Sequence, residues 1–566
     1  MLASLNGLQA SVAIFIFILI YYNLRKWQMS RKLKRLGARA PEIQSSWPFG
    51  IDFIYKYVVA SANNQEISFF ASCLASASYK DSSSTISSSG TKTSTSTIKG
   101  SCMTAQLNSG LSGRLVLTVD PSNIKTLVSE MSDYGKGERF HKVWKEFIGD
   151  SIFAIDGELW GKTRTKMKPI FFKENVVDTA IFEGHVAQLI DILDERGDRS
   201  ESPDLLNVFL RYTFDVATDF LFSEATNCLK FPQLRVAEAF KYILQRQSDL
   251  DNMDEFSWLL SRTKFRQELK VLDDFVYPYI YKSLALTSDQ LQSKLSSRDN
   301  LLDSLALHTR DAKFLRDQMI TILVAGRDTT AVTLSFLFFE LSRNPVVLET
   351  LKKEIVDKIG EGDAATTPSV KDLQEMKMLN AVIDETFRFY PPVPLNFRCA
   401  LRDTTLPRGG GEDGMQPIGV LKGTKVLFSI MLVHKNPDLY PAIEGKRFHD
   451  PNKWIPARWL DADEGRKCWT PELWNFLPFH HGKRACPGQK FAQVEIAYTV
   501  ARILQTYKTI KIMGWDQADS KGRDLECRVA VTMSPAEELN VRHKITYVFV
   551  EKRVKKDTKY YSTYVR

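Results

Sequence analysis

Apolar positions recur at helical spacing through most of the chain between about residues 123 and 395. Spacings of three and four residues place apolar side chains on one helix face, so this pattern predicts a predominantly helical region. A short strand is expected at Leu115–Thr118, before a turn at Asp120-Pro121, and residues 396–430 have the Gly, Pro and β-branched content of short strands and turns. The longest helices are expected near 176–196, 203–223, 264–284, 311–343 and 376–389. The pattern predicts a mainly α fold with a small β portion.

An apolar run at about residues 5–24 has the length of a membrane-spanning helix. Its central part, Val12–Tyr22, contains no charged residue, and twenty helical residues cover about 30 Å, the thickness of the hydrocarbon layer. Seven basic residues and no acidic ones lie in residues 1–41, all after the run, which by the positive-inside rule keeps the following chain cytosolic. A cleaved signal peptide is the alternative, but it lacks a preceding basic residue and a clear small-x-small site. We therefore expect a signal anchor.

The net charge of +9 lies at the two ends of the chain. Residues 1–41 carry +7 and residues 551–566 carry +4, which leaves a nearly neutral body. A neutral body argues against nucleic acid as a partner. Seven cysteines without a C-x-x-C pair argue against a disulfide-stapled scaffold and favour a protein that faces the cytosol.

One low-complexity stretch, residues 82–97, has Ser or Thr at thirteen of sixteen positions and buries too little apolar surface to order itself. We interpret it as a flexible surface insertion, with regulatory phosphorylation as the alternative. The predicted organisation is a signal anchor with a basic linker (1–41), an amino-terminal segment that carries the insertion (42–110), a large main domain (111–550) and a basic carboxy-terminal tail (551–566).

The most specific motif is Phe479-His-His-Gly-Lys-Arg-Ala-Cys-Pro-Gly488, followed by an amphipathic run, Gln489–Gln505. A cysteine just before a helix amino terminus has its thiolate favoured by the helix dipole and by free backbone N–H groups. Phe479 can screen the sulfur from water, and the two glycines allow a flat ligand to approach the backbone closely. An anionic, sheltered and hydrogen-bonded sulfur is what an axial haem-thiolate ligand requires.

Two other interpretations of Cys486 compete with this one. Zinc binding by Cys468, His480, His481 and Cys486 would be possible chemically, but their spacing fits no compact zinc motif. A buried structural cysteine is the default for a lone cysteine, but it leaves the Gly-x-Arg-x-Cys-x-Gly arrangement without an explanation. We favour the haem ligand.

The motif resembles the haem signature F-x-x-G-x-R-x-C-x-G of the cytochrome P450 superfamily, with every fixed position filled. The resemblance implies a cytochrome P450 fold, here preceded by one amino-terminal transmembrane helix, and a haem b cofactor. It implies that Cys486 is the axial iron ligand, that Arg484 binds a haem propionate and that Phe479 packs at the cofactor. His480 and His481 occupy variable positions and receive no role.

A second match is Trp160-Gly-Lys-Thr-Arg164, which resembles the family's Trp-x-x-x-Arg, with both side chains one helical turn apart. Arg398 falls thirteen residues after Glu385, where the family places a further propionate-binding arginine. The resemblance therefore implies that Trp160, Arg164 and Arg398 belong to the cofactor site. Three arginines facing two carboxylates make chemical sense, because guanidinium groups bind carboxylates in a fixed geometry.

Residues 315–343 can form a helix about 43 Å long. A second membrane span is unfavourable, because Arg327 and Asp328 at its centre would be costly in lipid, so we expect a buried central helix. Its Ala325-Gly-Arg-Asp-Thr-Thr330 matches the family's oxygen-activation motif, which implies that Asp328 and Thr329 relay protons. The glycine and the threonine hydroxyl also predict a local opening of the helix.

Glu385-Thr-Phe-Arg388 and Pro456-Ala-Arg-Trp459 resemble the family's structural triad, here Glu385, Arg388 and Arg458. Ile455 stands where the family often has Phe. The resemblance implies that these residues stabilise the segment on the haem side and are not catalytic.

Residues 149–157, 373–381, 393–398 and 401–411 resemble the fungal branch of alkane- and fatty-acid-hydroxylating enzymes. That resemblance implies a monooxygenase that oxidises an alkyl chain at or near its end; the alternative substrate is a polyketide or other metabolite. The implied partners are NADPH–cytochrome P450 reductase, with cytochrome b5 as a further candidate, and the implied location is the endoplasmic reticulum membrane. The candidates to line a substrate funnel, which can equally be core residues, are Leu323, Val324, Val393 and Leu395.

A haem-thiolate isomerase or dehydratase that needs no reductase, and a non-catalytic haem-binding protein, are the alternative functions. Only oxygen activation requires a proton relay such as Asp328 with Thr329, which favours the monooxygenase. No Gly-rich dinucleotide motif follows a predicted strand, and Gly409–Gly411 is expected to be a turn. The electrons must therefore come from a separate protein.

Overall fold

Helices dominate the computed structural model, as the apolar periodicity predicts. Within the residues that it describes, the chain forms eighteen α-helices and eleven short strands. The described residues are 2–47, 50–77, 102–108, 113–171, 179–198, 204–232, 235–253, 260–297, 300–440, 450–460, 471–512, 525–536 and 548–552. The Ser/Thr-rich stretch 82–97 and nearly all of the basic tail lie outside them.

The α-helices include all five of the long segments that the periodicity predicts. In chain order they are α1 (Leu2–Leu36), α2 (Ile51–Ala62), α3 (Glu66–Ser76), α4 (Pro121–Ser129), α5 (Glu138–Ile148), α6 (Gly157–Phe171), α7 (Ala180–Asp198), α8 (Leu205–Phe222), α9 (Arg235–Met253), α10 (Thr263–Leu284), α11 (Ser288–Ser297), α12 (Leu301–Ala306), α13 (Ala312–Arg343), α14 (Pro345–Ile359), α15 (Val370–Glu375), α16 (Lys377–Phe389), α17 (Ile430–His434) and α18 (Gln489–Thr506). Single 3-10 turns occur at Gly362–Ala364, Pro456–Trp459 and Gly482–Arg484.

Side-chain caps explain where several helices begin. The Asp311 carboxylate accepts hydrogen bonds from the Lys313 and Phe314 amides in the first turn of α13 at 3.0 and 3.2 Å, and Asp204 accepts one from the Leu206 amide in the first turn of α8. Asp120-Pro121 is not a simple turn, because Asp120 accepts from two amides of α4 and Pro121 occupies its first position. The residues that the sequence suggested as a chain reversal are thus a helix start.

The strands form one five-stranded sheet and three two-stranded pairs. They are β1 (Thr104–Asn108), β2 (Arg114–Thr118), β3 (Tyr134–Gly135), β4 (Leu395–Ala400), β5 (Thr404–Gly410), β6 (Gln416–Val420), β7 (Lys425–Ser429), β8 (Tyr507–Ile512), β9 (Cys527–Val529), β10 (Met533–Pro535) and β11 (Val548–Lys552). The large sheet has the order β1-β2-β7-β4-β3, with β2 and β7 parallel and the other neighbours antiparallel. The predicted β portion at 396–430 is therefore correct, and its strands also pair with the segment around Leu115.

The core is centred on α13, which packs against α8, α10 and α18. Among the described residues, α13 is the helix whose length and hydropathy would suit a membrane span, but 67% of its apolar window is buried inside the fold. It is the buried central helix that the sequence predicts. Leu323, Leu334 and Phe336 are among its side chains with no exposed surface.

The apolar run at residues 5–24 lies within α1, a single helix of 35 residues. Ile16, Phe17 and Ile20 on this helix are at least half exposed. At its carboxyl end Leu33 is buried, and the residues that follow join the β5–β6 pair through a bridge between Ala38 and Ile418. The helix therefore continues directly into the folded body.

Candidate functional site

The loop that carries Cys486 is folded tightly before the first turn of α18. The Cys486 amide donates a hydrogen bond to the Phe479 carbonyl at 2.9 Å, which closes the loop. Gly482 has a φ of +73°, and a side chain there would come within 2.9 Å of the Val128 carbonyl, so the turn requires glycine. The sulfur faces a cavity, and burial raises the pKa of the Cys486 thiol, opposed by a backbone amide of the loop and by Arg164. A cation bound beside the sulfur would favour its thiolate form.

The middle of α13 forms another wall of the same cavity. Ala325 and Thr329 line it, and the Thr329 hydroxyl donates to the Ala325 carbonyl at 2.7 Å. Asp328 precedes Thr329 but does not line the cavity, and Arg327 pairs with it at 2.9 Å. Burial raises the pKa of the Asp328 carboxyl, and Arg327 opposes that shift. The predicted local opening is wrong, because α13 is continuous and the hydroxyls of Thr329 and Thr213 bond to its carbonyls without breaking it.

A cationic part of the wall combines Trp160 and Arg164 on α6, Arg398 on β4 and Arg484 in the loop. Arg484 donates to Asp156 at 2.5 Å, and its guanidinium carbon lies 4.9 Å from the centre of the Trp160 ring. Arg398 is only 3% exposed and forms no ion pair with a carboxylate of the described chain. Burial, then repulsion by Arg484, lowers the pKa of Arg398 to about 10, and Asp156 opposes this. The wall carries more positive than negative charge.

The cavity has a volume of about 940 Å³ and reaches from Cys486 past α13 to α2. Most of its lining is apolar, from helices, β4 and the strand pair β9–β10. The charged residues of the lining are Arg114, Lys136, Arg164, Arg398, Lys425, Arg484 and Glu495. Six cations thus accompany a single carboxyl group, so the cavity suits a large apolar ligand that carries negative charge.

Comparison with known proteins decides the family. The cytochrome P450 family model matches residues 113–535. The cytochrome P450 monooxygenase pvhE of Talaromyces variabilis is 36% identical over 518 residues, which are 89% of this chain and 90% of that protein. Cytochrome P450 52A4 of Candida maltosa is 37% identical over 412 residues, and cytochrome P450 52A1 of Candida tropicalis is 38% identical over 413 residues; each alignment covers 70% of this chain and 73% of that protein. The chain belongs to the cytochrome P450 family.

A cytochrome P450 is a monooxygenase that binds haem b through an axial cysteine thiolate and needs a redox partner and a hydrophobic substrate. The cavity of this cytochrome P450 fits that cofactor, because its apolar walls suit the macrocycle and its arginines suit the two propionates. Two buried nitrogens on this wall, Arg484 Nε and His480 Nδ1, have no hydrogen-bond partner in the described chain. Seven of the eight predicted site residues line the cavity; Asp328 does not, although the next residue, Thr329, does.

The predicted structural triad forms, and none of its three residues lines the cavity. Arg388 donates to both Glu385 oxygens at 2.8 and 2.9 Å, and Arg458 donates to one of them at 3.0 Å. Trp459 and the Ile455 amide donate to the same carboxylate at 2.9 and 2.6 Å. Glu385 and Arg388 have no exposed surface. The network joins α16 to the 450–460 segment of this cytochrome P450.

The zinc interpretation finds no support in the part of the chain that the structure describes. Cys468 lies outside that part, and the described residues contain no cluster of three or more His, Cys, Asp or Glu suited to a metal ion. The His481 ring donates to the Phe476 carbonyl at 3.1 Å, and the His480 ring contacts the Asn396 amide at 2.8 Å. Both imidazoles are thus engaged with the protein.

Three of the four candidate funnel residues, Val324, Val393 and Leu395, line the cavity. Leu323 does not, because it has no exposed surface and packs into the core. The side chain of Leu323 lies on the face of α13 that packs into the core, whereas Val324 lies on the face that lines the cavity.

Sequence reasoning missed one carboxyl group of the cavity wall. Glu495 on α18 is 2% exposed, and burial raises the pKa of its carboxyl well above the usual range, opposed by the Thr330 hydroxyl. In the sequence Glu495 is an ordinary acidic residue in an amphipathic helix. Only the crossing of α18 and α13 shows that it is buried.

Proposed function

We propose that this cytochrome P450 is a single-pass membrane monooxygenase that oxidises a long, flexible alkyl chain at or near its end. The observation that carries the proposal is the apolar cavity, which extends from the Cys486 sulfur past α13 to Ile51, Ile54 and Val58 on α2. A chain-like apolar substrate can occupy such a cavity lengthwise.

Cys486 is the residue that we assign to the iron, with Phe479 packed beside it. Arg164, Arg398 and Arg484 supply the positive charge for the propionates, and Trp160 supports Arg484 through the contact between its ring and the guanidinium. Bound haem b supplies the activation of dioxygen for insertion of one oxygen atom into a C–H bond. The protein contributes the sheltered sulfur and a dry, apolar space.

Thr329 and Asp328 are the residues that we assign to proton transfer. The Thr329 hydroxyl lies on the cavity wall and donates to the Ala325 carbonyl, so the lone pairs of its oxygen remain able to accept a hydrogen bond from a proton donor in the cavity. Arg327 holds Asp328 in an ion pair. The pKa of the Asp328 carboxyl is raised towards neutral pH, where the group can both give and take protons. Asp328 passes protons inward and the Thr329 hydroxyl delivers them to the cavity.

The exposed apolar surface supports attachment to a membrane. On α1 it comprises residues at the centre of the predicted span, with Ile16, Phe17 and Ile20 50 to 70% exposed. On α2 the exposed apolar residues recur at helical spacing and form one face; they are Ile51, Ile54, Tyr55, Val58 and Val59. Because three residues of that face also line the cavity, a lipid-dissolved substrate would reach the site from the membrane. We place the body on the cytosolic side of the endoplasmic reticulum.

Attack at a terminal methyl requires positioning, because its C–H bonds are stronger than those of neighbouring methylenes. Val324, Val393 and Leu395 line the cavity, and in this proposal they hold an alkyl chain so that its end reaches the iron position first. The fungal-branch resemblance supports an alkane or a fatty acid. A metabolite with an alkyl tail would use the same positioning.

The electrons come, in this proposal, from NADPH through a separate reductase, with cytochrome b5 as a second donor. Gly409 and Gly410 end β5, and the chain then turns back into β6, so the glycine run closes a hairpin and does not precede a nucleotide-binding helix.

The test is co-expression with a fungal NADPH–cytochrome P450 reductase, followed by separate incubation with alkanes, fatty acids and a host metabolite extract. Mass spectrometry should locate the added oxygen at or next to a chain end, and omission of reductase should abolish the product. Oxygen on a rigid ring, with alkanes and fatty acids unchanged, would contradict the alkyl-chain substrate. Turnover without NADPH and reductase would favour the isomerase or dehydratase instead.

A further inference from the structure

His480 is the residue of the cysteine motif that the haem signature leaves without a role. Its φ of +56° lies in the left-handed region, which non-glycine residues seldom adopt, although His is among those that tolerate it. The ring contacts Phe428 edge to face, with ring centres 6.1 Å apart. A strained backbone that directs a ring onto the large sheet indicates that the imidazole itself is used.

Hydrogen bonding determines which ring nitrogen of His480 carries the hydrogen. The Asn396 side-chain oxygen accepts from the Phe397 amide at 2.8 Å and from Arg398 at 3.2 Å, so the Asn396 NH₂ group is the part that faces His480. That NH₂ group lies 2.8 Å from His480 Nε2, which must therefore accept. The hydrogen is on Nδ1. Burial, followed by Arg398 and Lys136, lowers the pKa of His480 to about 3, so the ring is neutral.

Asn396 connects this imidazole to a buried cation. Asn396 and Arg398 lie two residues apart on β4 and share one face of the strand. One terminal nitrogen of Arg398 donates to the Asn396 oxygen and to the Phe397 carbonyl at 2.8 Å. Within the described chain, no acceptor engages the other guanidinium nitrogens of Arg398, which lines the cavity. The contacts of one nitrogen thus determine where the remaining N–H groups point.

We propose that His480 is a positioning residue that acts through Asn396 on Arg398 and directs the Arg398 guanidinium to a haem propionate. The inference rests on the proposed haem site and adds to it a connection between the cysteine loop and β4. His480 fixes the Asn396 amide, Asn396 fixes one side of the guanidinium, and the other side binds the carboxylate. This connection fixes the position of the loop that holds the iron ligand relative to the strand that holds a propionate.

The test uses the full-length, haem-loaded protein and two readouts besides activity. One is the rate at which haem transfers to an excess of an apo-haem protein, and the other is the reduction potential of the iron. The variants are His480→Gly, which also removes the backbone strain, and Asn396→Ala, each alone and with Arg398→Lys. His481→Ala is the matched control, because that neighbouring ring bonds to the Phe476 carbonyl and has no contact with Asn396 or Arg398.

His480→Gly and Asn396→Ala should each speed haem transfer by roughly twofold to tenfold, the range of one hydrogen bond. Both should make the potential more negative, because a less well-placed guanidinium leaves the propionate charge less compensated. In the double variants, neither substitution should change the haem transfer rate or the potential beyond the effect of Arg398→Lys alone. His481→Ala should have the transfer rate and the potential of the unaltered protein. A merely structural role for His480 would leave the potential unchanged.

Unchanged haem transfer rates in both variants would overturn the inference. So would double variants in which the effect on the transfer rate multiplies with that of Arg398→Lys. A change in His481→Ala as large as that in His480→Gly would overturn it as well. If His480→Gly does not fold, Asn396→Ala decides by the same criteria. An unaltered protein that binds no haem would contradict the proposed function itself, which distinguishes that failure from the failure of this inference.

Discussion

At the scale of single residues, the site depends on buried charges that require a ligand. Arg398 has almost no exposed surface and forms no ion pair in the described chain, and Arg484 pairs with Asp156, whose carboxylate also accepts from the Lys136 and Gly137 amides. Burying a cation without compensation is costly, so a bound anion should stabilise this wall. The sequence motifs predict both arginines as site residues. They do not predict Asn396, because its contact with His480 joins residues 84 positions apart.

Thr329→Ala tests proton delivery at this scale. Loss of the hydroxyl should lower product formation by roughly 100-fold, the size of a typical contribution from positioned proton transfer, while NADPH consumption continues. Product and NADPH would be measured in the same incubation with reductase. Thr350→Ala is the control, because that hydroxyl makes the same type of bond, to the Val346 carbonyl at 2.8 Å, on the surface of α14. Undiminished product per NADPH in Thr329→Ala would contradict the assignment.

At the scale of elements, local sequence patterns predict the helices, but they do not predict which distant segments pair as strands. The expected helix at 311–343 and the observed α13 agree within one residue, because Asp311 caps one end and Asn344-Pro345 ends the other. The register that joins Leu115 in β2 to Lys425 in β7 is parallel and spans about 300 residues, so no local signal specifies it. The β portion could be located from sequence, but its sheet order could not.

Glu385→Gln tests how strongly α16 is joined to the 450–460 segment. The substitution leaves two buried arginines without their carboxylate, so the free energy of unfolding in urea should fall by about 3–5 kcal/mol. Asp274→Asn removes an exposed ion pair with Lys270 on α10 and should cost no more than about 0.5 kcal/mol. Equal small losses in the two variants would show that the triad does not stabilise this junction.

At the scale of the whole molecule, the account links membrane, cavity and cofactor. Replacing Ile16, Phe17 and Ile20 by Arg adds about 3 kcal/mol per residue to insertion of α1. The altered protein should therefore leave microsomal membranes in alkaline carbonate, whereas the unaltered protein and the matched triple Ala variant should stay in the pellet. Retention of the triple Arg variant would show that α1 is not the anchor.

The orientation of the body is tested separately by protease added to intact microsomes. Because the basic residues follow the apolar run, the catalytic body should be digested from the cytosolic side. Full protection of the body, with digestion only after detergent is added, would reverse the proposed topology.

The most direct test of the central claim is the spectrum of the reduced carbon monoxide complex in Cys486→Ala, with Cys527→Ala as the control. Cys527 is a partly buried cysteine on β9, and its sulfur contacts the Leu525 carbonyl. The account predicts the strongly red-shifted Soret band of a thiolate-ligated haem in the unaltered protein and in Cys527→Ala, and its complete loss in Cys486→Ala. A red-shifted band that persists unchanged in Cys486→Ala would contradict the assignment of Cys486 as the iron ligand.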